Sequence, residues 1–321
     1  MNYIGISCGF HDASVAVVND DGVVTFFARS ADYTGVSGDS QLNTKIIGDA
    51  LGVTGDAYEV HYYEQPLLKY LRQLRSGEST GIKNALASHM IGREYHKLLG
   101  NKKIHTHRHH LTHTAAGFQT SDYQDATVVV IDAIGEWDTV TIWDARYEHG
   151  IAQYRRLWTQ NYPDSIGLFY SAMTDALGMT SVKDEYLLMK LSETGDRRGP
   201  CVDLLLENMI DSIEQCTFKN NLHCGLDSDI RAQLLSYSDA DIAAATQVIT
   251  ERLIDSVMLR AHNIGWSDNL VYTGGVAMNG LANKNLGNHF TRWSIPRWCG
   301  DAGSSIGACA LAHGGKITYN Y

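Results

Sequence analysis

The 321-residue sequence predicts an α/β protein built as two lobes of like construction, and three observations carry that expectation. A strand–turn–strand pattern occurs at 3–18 and again at 127–143, each time around a glycine-bearing acidic turn. Helical periodicity dominates 41–100 and 165–260. Only four prolines occur, and no Pro/Ser-rich tether divides the chain. The expected organisation is one domain over 1–321, with lobe I at 1–122 and lobe II at 123–321.

The opening "NYIGISCGFHDASVAVVNDDGVVTFFARS" alternates as strands do and breaks at Gly9–Asp12 and at "NDDG", which predicts a three-stranded meander. "QPLLKYLRQLRSG" reads as a helix that starts after a proline and stops at a glycine. "ATVVVIDAIGEWDTVTIWDA" (126–145) repeats the opening pattern. "DADIAAATQVITERLIDSVMLRAHNIG" (239–265) has apolar residues at three- and four-residue steps and Gly265 as its stop, the longest helical signal in the chain. "NLVYTGGVAMNGLANKNL" (269–286) predicts a strand entering a Gly-Gly turn that opens a helix. "WCGDAGSSIGACALAHGG" (298–315) predicts a glycine-rich turn entering a helix of small residues.

The bulk numbers exclude several classes. At 44% hydrophobic and 19% charged the chain is globular rather than disordered, and its length supports a sizeable core. A formal charge of −10 speaks against bulk attraction to nucleic acid or anionic membrane, although "NKKIHTHRHH" (101–110) is locally basic. Six cysteines without a CxxC pair point to a reducing cytoplasm rather than a disulfide framework. There is no signal-peptide pattern and no apolar run of membrane-spanning length, so a soluble cytoplasmic protein is expected.

Three glycine turns are candidates for holding a phosphate or an adenylate in a cleft between lobes: "CGFHDAS", "DAIGEWDT" and "TGGVAMN". Backbone N–H groups and a carboxylate meet at such turns, although a single Gly-Gly is more often plain turn chemistry. "RHHLTHTAAGF" (108–118) raises a sharper question. His109 and His113 are four residues apart and share one face if the segment is helical, the spacing with which two imidazoles ligate one metal; His110 and His113 would share a face as well. Oxygen donors must come from elsewhere, and Asp132 and Asp301 are suitable because each precedes a glycine-bearing turn. The alternative is a solvated helix start beside a basic patch.

Read in order, "GFHDAS", "YEQPLLK", "HHLTHTAAGF", "DAIGEWDT", "SIGLFYSAMTDALG", "YTGGVAMN" and "GDAGSSIGA" resemble the O-carbamoyltransferases that act on Nod factors, aminoglycosides and cephalosporins. The resemblance is to their N-terminal, Kae1-like domain and runs from about residue 3 to 313. It implies the two-lobed fold of actin, Hsp70 and sugar kinases. It also implies transfer of a carbamoyl group from a carbamoyl-adenylate, made from carbamoyl phosphate and ATP, to an acceptor hydroxyl. The family's metal ligands fall on His109, His113, Asp132 and Asp301, with Fe(II) as the implied ion and Zn or Mn as alternatives. His11 and Asp12 fall in its catalytic turn. Gly135, Glu136, Gly274, Gly275, Asn279 and Gly303 are the implied nucleotide contacts, and His110 stands behind the ligands or on an exposed helix face. His105 and His107 are expected at the solvated surface.

The sequence departs from that family in four respects. The second, YrdC-like domain that makes the adenylate is not in this chain, so a separate adenylating protein is an expected partner. "ADYTGVSGDS" (31–40) replaces a charged segment, and "EYLLMKLSETG" (185–195) replaces a glycine- and proline-bearing loop, which points to a remodelled acceptor side. Ala133 stands where the family prefers glycine. The expected acceptor is the hydroxymethyl group of a modified pyrimidine in DNA or a nucleotide, with a sugar-like metabolite as the alternative. Threonylcarbamoyl-type transfer to tRNA and a non-catalytic nucleotide-binding subunit are further readings. No membrane partner is expected, a homodimer is left open, and the location would be the host cytoplasm if the chain is virus-encoded.

Overall fold

The computed structural model describes residues 1–78 and 81–319. Strands β1 (Asn2–Ser7), β2 (Ser14–Val18) and β3 (Val23–Arg29) form the expected antiparallel meander. Strands β4 (Tyr58–Tyr62) and β5 (Ile104–Thr106) extend it in parallel, and β13 (Thr318–Tyr319) closes its other edge, giving the order β13-β3-β2-β1-β4-β5. In the second sheet β6 (Asp125–Ile131), β7 (Asp138–Glu148) and β8 (Ile151–Asn161) repeat the meander. Strands β11 (Asn269–Thr273) and β12 (Arg292–Ser294) add to it, in the order β12-β11-β6-β7-β8. A small ribbon pairs β9 (Ile210–Ser212) with β10 (Thr217–Phe218).

Two helices fill the space between the sheets. The Asp301–His313 helix packs on β1 and β2, the His109–Thr120 helix packs on β6 and β11, and the two helices pack on each other. Their approach depends on missing side chains. A Cβ on Gly5 would lie 1.9 Å from the Ser305 carbonyl oxygen, and one on Gly307 would lie 1.9 Å from that of Thr112. Any larger residue at either position would push the layers apart. Ser14 Oγ, bonded to the Ala302 carbonyl at 2.7 Å and to Ser305 Oγ at 2.8 Å, ties the same helix to β2.

The outer faces carry the larger cores. Ile46, Ile47 and Ala50 of the Thr44–Thr54 helix cover Ile4, Ile6 and Val60 of the first sheet. On the second sheet the Asp239–Ile264 helix buries Ile249, Leu253 and Val257 against Phe169, Leu205 and Tyr272. Each buried Ile, Leu, Val or Phe among these contributes about 1.5–3 kcal/mol, so both sheets are held rigidly in place.

Three sequence expectations need correction. Residues 41–100 contain β4, whose five residues "YEVHY" include Glu59 and His61 and carry too little apolar pattern to announce a strand. After β11 the chain forms 3-10 turns at Gly275–Met278 and Ala282–Asn288 rather than a helix. Asn279 Oδ1 accepts from the Ala282 backbone N–H and Asn283 Nδ2 donates to the Ala277 backbone carbonyl, so side chains compete for the backbone bonds a helix would use. Finally, lobe II does not run unbroken to 321. The Asp301–His313 helix packs on the first sheet and β13 pairs with β3 there, so the chain crosses back to lobe I.

Candidate metal centre and adjoining cavity

His109 and His113 occupy the first and fifth positions of the His109–Thr120 helix and, as their spacing predicts, share a face. Asp132 follows β6, and Asp301 is the first residue of its helix. All four side chains are buried, and one donor atom from each lies within 4.8 Å of the others. His109 Nε2 is 3.0 Å from Asp132 Oδ2 and 3.3 Å from Asp301 Oδ1. His113 Nε2 is 3.2 Å and 3.3 Å from the same two oxygens, and 3.1 Å from His109 Nε2.

Burial disfavours the charged form of all four groups, yet their mutual attraction wins. The carboxylates hold both imidazoles above the usual histidine range, and the imidazoles hold both carboxylates below theirs. Two imidazolium protons or one divalent cation would neutralise the same pair of carboxylates, so protons and metal compete for one set of lone pairs. Two nitrogens and two carboxylate oxygens suit Fe(II), Mn(II) or Zn(II). The donor set fits the ion.

His11 and Asp12 stand beside this quartet on the loop between β1 and β2. His11 Nδ1 is 2.9 Å from Asp12 Oδ2, and His11 Nε2 is 3.4 Å from Asp301 Oδ2. Burial lowers the His11 pKa, but Asp301 and Asp12 together push it up to about 9. Asp301 thus faces the imidazole pair with one oxygen and His11 with the other. A cavity of about 310 Å³ opens here, lined by His11, Asp12, Asp132, Tyr170, Gly275 and Asn279 among others.

The carbamoyltransferase N-terminus family matches residues 39–310. The chain belongs to that family. Among curated proteins, the uncharacterized protein sll1178 of Synechocystis is 30% identical over 95% of this chain and 56% of its own length. The uncharacterized protein MJ1058 of Methanocaldococcus jannaschii is 25% identical over 81% of this chain and 45% of its own length. The chain therefore spans about half the length of the curated relatives it matches. Among solved structures, HypF of T. kodakarensis superposes with a TM-score of 0.51 at 12% identity, covering 97% of this chain and 47% of that one. The activator of the 2-hydroxyisocaproyl-CoA dehydratase of Clostridium difficile, with bound ADPNP, gives 0.50 at 13% identity, covering 98% and 94%. These likenesses place the chain in the two-lobed actin-like fold.

The nucleotide contacts implied for this carbamoyltransferase-family chain separate in space. Gly275 and Asn279 line the cavity. A Cβ on Gly275 would lie 2.9 Å from Asp132 Oδ1, so glycine leaves room for that carboxylate. Gly274 has a φ of 95° and turns the chain beneath the Ile131 carbonyl. Asn279 is buried and its amide is paired with that of Gln247 at 2.9 and 3.0 Å. Gly303 lies inside its helix against the Trp298 carbonyl, not among the residues that line the cavity. Gly135 closes the β6–β7 turn through a 2.9 Å bond from its N–H to the Asp138 carbonyl.

Glu136 has a task inside the protein. Its carboxylate accepts the Gln65 N–H at 2.7 Å and the His109 N–H at 3.0 Å, which anchors the start of the His109–Thr120 helix. His110 is buried rather than exposed, with Nδ1 2.9 Å from Thr141 Oγ1, and burial holds it neutral. The expectation for His105 and His107 is overturned. Both are half-buried, His107 Nε2 lies 3.0 Å from His61 Nδ1, and the His105 ring stacks on His61 with centroids 5.0 Å apart. Sequence reasoning missed this cluster because it did not see β4, which brings His61 opposite His105.

Proposed function

We propose that the chain transfers a carbamoyl group from a carbamoyl-adenylate to an acceptor hydroxyl, at the end of the cavity where the histidine–aspartate quartet and His11 meet. The observation that carries this reading is the shared Asp301, which joins a four-donor metal set to a proton-handling pair at one wall of a cleft. In the reaction the bond from the carbamoyl carbon to the phosphate oxygen breaks, a carbamate ester forms on the acceptor oxygen, and AMP leaves. With its pKa pushed up to about 9, His11 already carries its proton at neutral pH and orients the carbamoyl group as a donor, while the acceptor's proton passes to the Asp12 carboxylate, which also lines the cavity.

His109, His113, Asp132 and Asp301 would hold the metal, Fe(II) on the family resemblance, and when bound it supplies positive charge for the phosphate and the carbonyl. The chain's own residues do the rest. The Ala133 N–H, bonded to Asp132 Oδ1 at 2.8 Å, fixes that carboxylate. Glu136 sets the helix start, and Asp12 sets the ring plane of His11. The rigid sheets behind the turns keep these groups from relaxing as charge develops.

The acceptor in this reading is a hydroxymethylpyrimidine nucleotide or the same base in DNA, with a sugar-like hydroxyl as the competing substrate. The activated carbamoyl group in this reading is a carbamoyl-adenylate made from carbamoyl phosphate and ATP. The test is mass spectrometry of candidate acceptors incubated with the protein, carbamoyl phosphate, ATP and Fe(II), with pre-formed carbamoyl-adenylate in a second arm. A carbamoyl mass gain lost in His109→Ala and Asp301→Ala is expected, in the second arm if the adenylating partner is required. No gain on any acceptor in either arm overturns the reading.

A further inference from the structure

The two segments that depart most from the family's pattern, or flank such a departure, meet at the mouth of the cavity. Residues 38–40 lie along the catalytic turn: Gly9 N–H donates to the Ser40 carbonyl at 2.9 Å, and Ala13 N–H to the Asp39 carbonyl at 2.7 Å. From the other lobe the turn at 180–184, just before the altered helix, presents Val182 and Lys183 to the cavity. Lys183 reaches over to the first lobe, since a Cβ on Gly38 would lie 3.9 Å from its Cε.

This turn is held at a cost. Val182 has a φ of 69°, which a β-branched residue rarely adopts, and such strain persists where surrounding bonds over-determine it. Three acids do so here. Asp184 accepts the Thr180 N–H at 2.8 Å, Asp175 accepts the Ser181 N–H at 3.0 Å, and Glu185 accepts both the Val182 N–H and the Ser171 hydroxyl. Every nearby carboxylate on this element is thereby turned to the backbone or to a hydroxyl. Asp12 and Asp132, the other acids of the lining, face histidines. Among the described residues Lys183 is the one lysine or arginine lining the cavity, and no carboxylate there lies within ion-pair distance of it. The same cavity is lined by exposed apolar and aromatic side chains: Phe10, Tyr186 and Met278 are 55%, 60% and 61% exposed.

We propose that Lys183 binds the phosphate of a phosphorylated acceptor whose flat ring rests on Phe10, Tyr186 and Met278, so that the acceptor is a nucleoside monophosphate rather than a neutral sugar. This rests on the carbamoyl-transfer reading for the word acceptor. The phosphate subsite stands on the unpaired cation and its strained turn.

The test is calorimetric titration of the full chain, with Mn(II) supplied, using 5-hydroxymethyl-dCMP and its nucleoside, then AMP and adenosine. In the wild type, loss of the phosphate should weaken binding of the hydroxymethylpyrimidine about tenfold, as expected for one charge-assisted contact. Lys183→Met should weaken the monophosphate by a similar factor and leave the nucleoside unchanged, while Lys183→Arg restores the preference. Equal binding of the monophosphate by Lys183→Met and wild type, or no binding of it by wild type, overturns the proposal. If Lys183→Met instead weakens AMP relative to adenosine, the subsite belongs to the donor and the acceptor assignment falls. If the phosphate preference holds but no carbamoyl transfer occurs with pre-formed adenylate, the functional reading fails and the subsite survives.

Discussion

Two histidine clusters lie almost side by side in this chain and behave in opposite ways. His109 and His113 are buried against Asp132 and Asp301, which hold them above the usual imidazole range. His61 and His107 lie beside each other and His105, where burial and the neighbouring imidazoles push both down to about 4. The nearest acid, Glu59, is 3.3 Å from His61 Nε2 but its side chain is partly exposed. Residue type is the same in the two places and burial lowers the imidazole pKa in both, so the partners decide the direction. Buried carboxylates turn a histidine pair into a site for cations, whereas a pair without them is a neutral packing element.

The comparison breaks most sharply through the ligands. His109→Ala or Asp301→Ala should lower affinity for Fe(II) or Mn(II) by more than about a hundredfold, since removing even a group outside the coordination sphere typically costs 10–100-fold. His107→Ala should change it by less than about threefold. Titration of the metal-free protein with Mn(II), followed by paramagnetic resonance, reads both. Equal losses in His107→Ala and His109→Ala would mean that the two clusters act as one site.

The placement of the four candidate ligands was legible in the sequence because it is local or sits at marked turns. The four-residue step from His109 to His113 needs only a helix, and Asp132 and Asp301 stand at glycine turns. The duplicated meander was visible for the same reason, as alternation within short windows. What was hidden depends on parallel pairing over long separations. His61 meets His107 only because β4 enters between β1 and β5, and no local pattern in "YEVHY" says so. The meeting of Lys183 with Gly38, and the use of Glu136 on two backbone N–H groups rather than on a ligand, are likewise products of tertiary placement.

A second prediction uses the opposite signs of the two clusters. His61 has a folded pKa of about 4, below the ordinary 6.5, so its contribution to stability is present above pH 6.5 and is lost as the pH falls toward 4. Between pH 7 and pH 5 that loss is on the order of 2 kcal/mol. His109 and His113 in the metal-free chain run the other way. Their raised values stabilise the fold below pH 6.5, and that stabilisation is lost as the pH rises through the folded values. Urea unfolding at both pH values should therefore show a smaller acid loss in His61→Gln than in the wild type, and a larger one in His113→Gln. Parallel curves for all three proteins would show that the clusters do not differ electrostatically.

The smallest expected effect lies at the boundary between the clusters. The chain is extended through β5 and becomes helical at His109, and Glu136 holds the first N–H of that helix together with the Gln65 N–H. Glu136→Gln keeps an oxygen that can accept these bonds but removes the charge that favours a helix N-terminus. The imidazole of His109 would still be present, aimed less firmly. Mn(II) affinity should fall by about tenfold, at the low end for a group that orients a ligand without touching the ion. Glu136→Ala should cost more, because it strands two N–H groups in a buried place. If Glu136→Gln instead abolished nucleotide binding and left Mn(II) affinity intact, Glu136 would be a nucleotide contact after all, and the helix start would need another anchor.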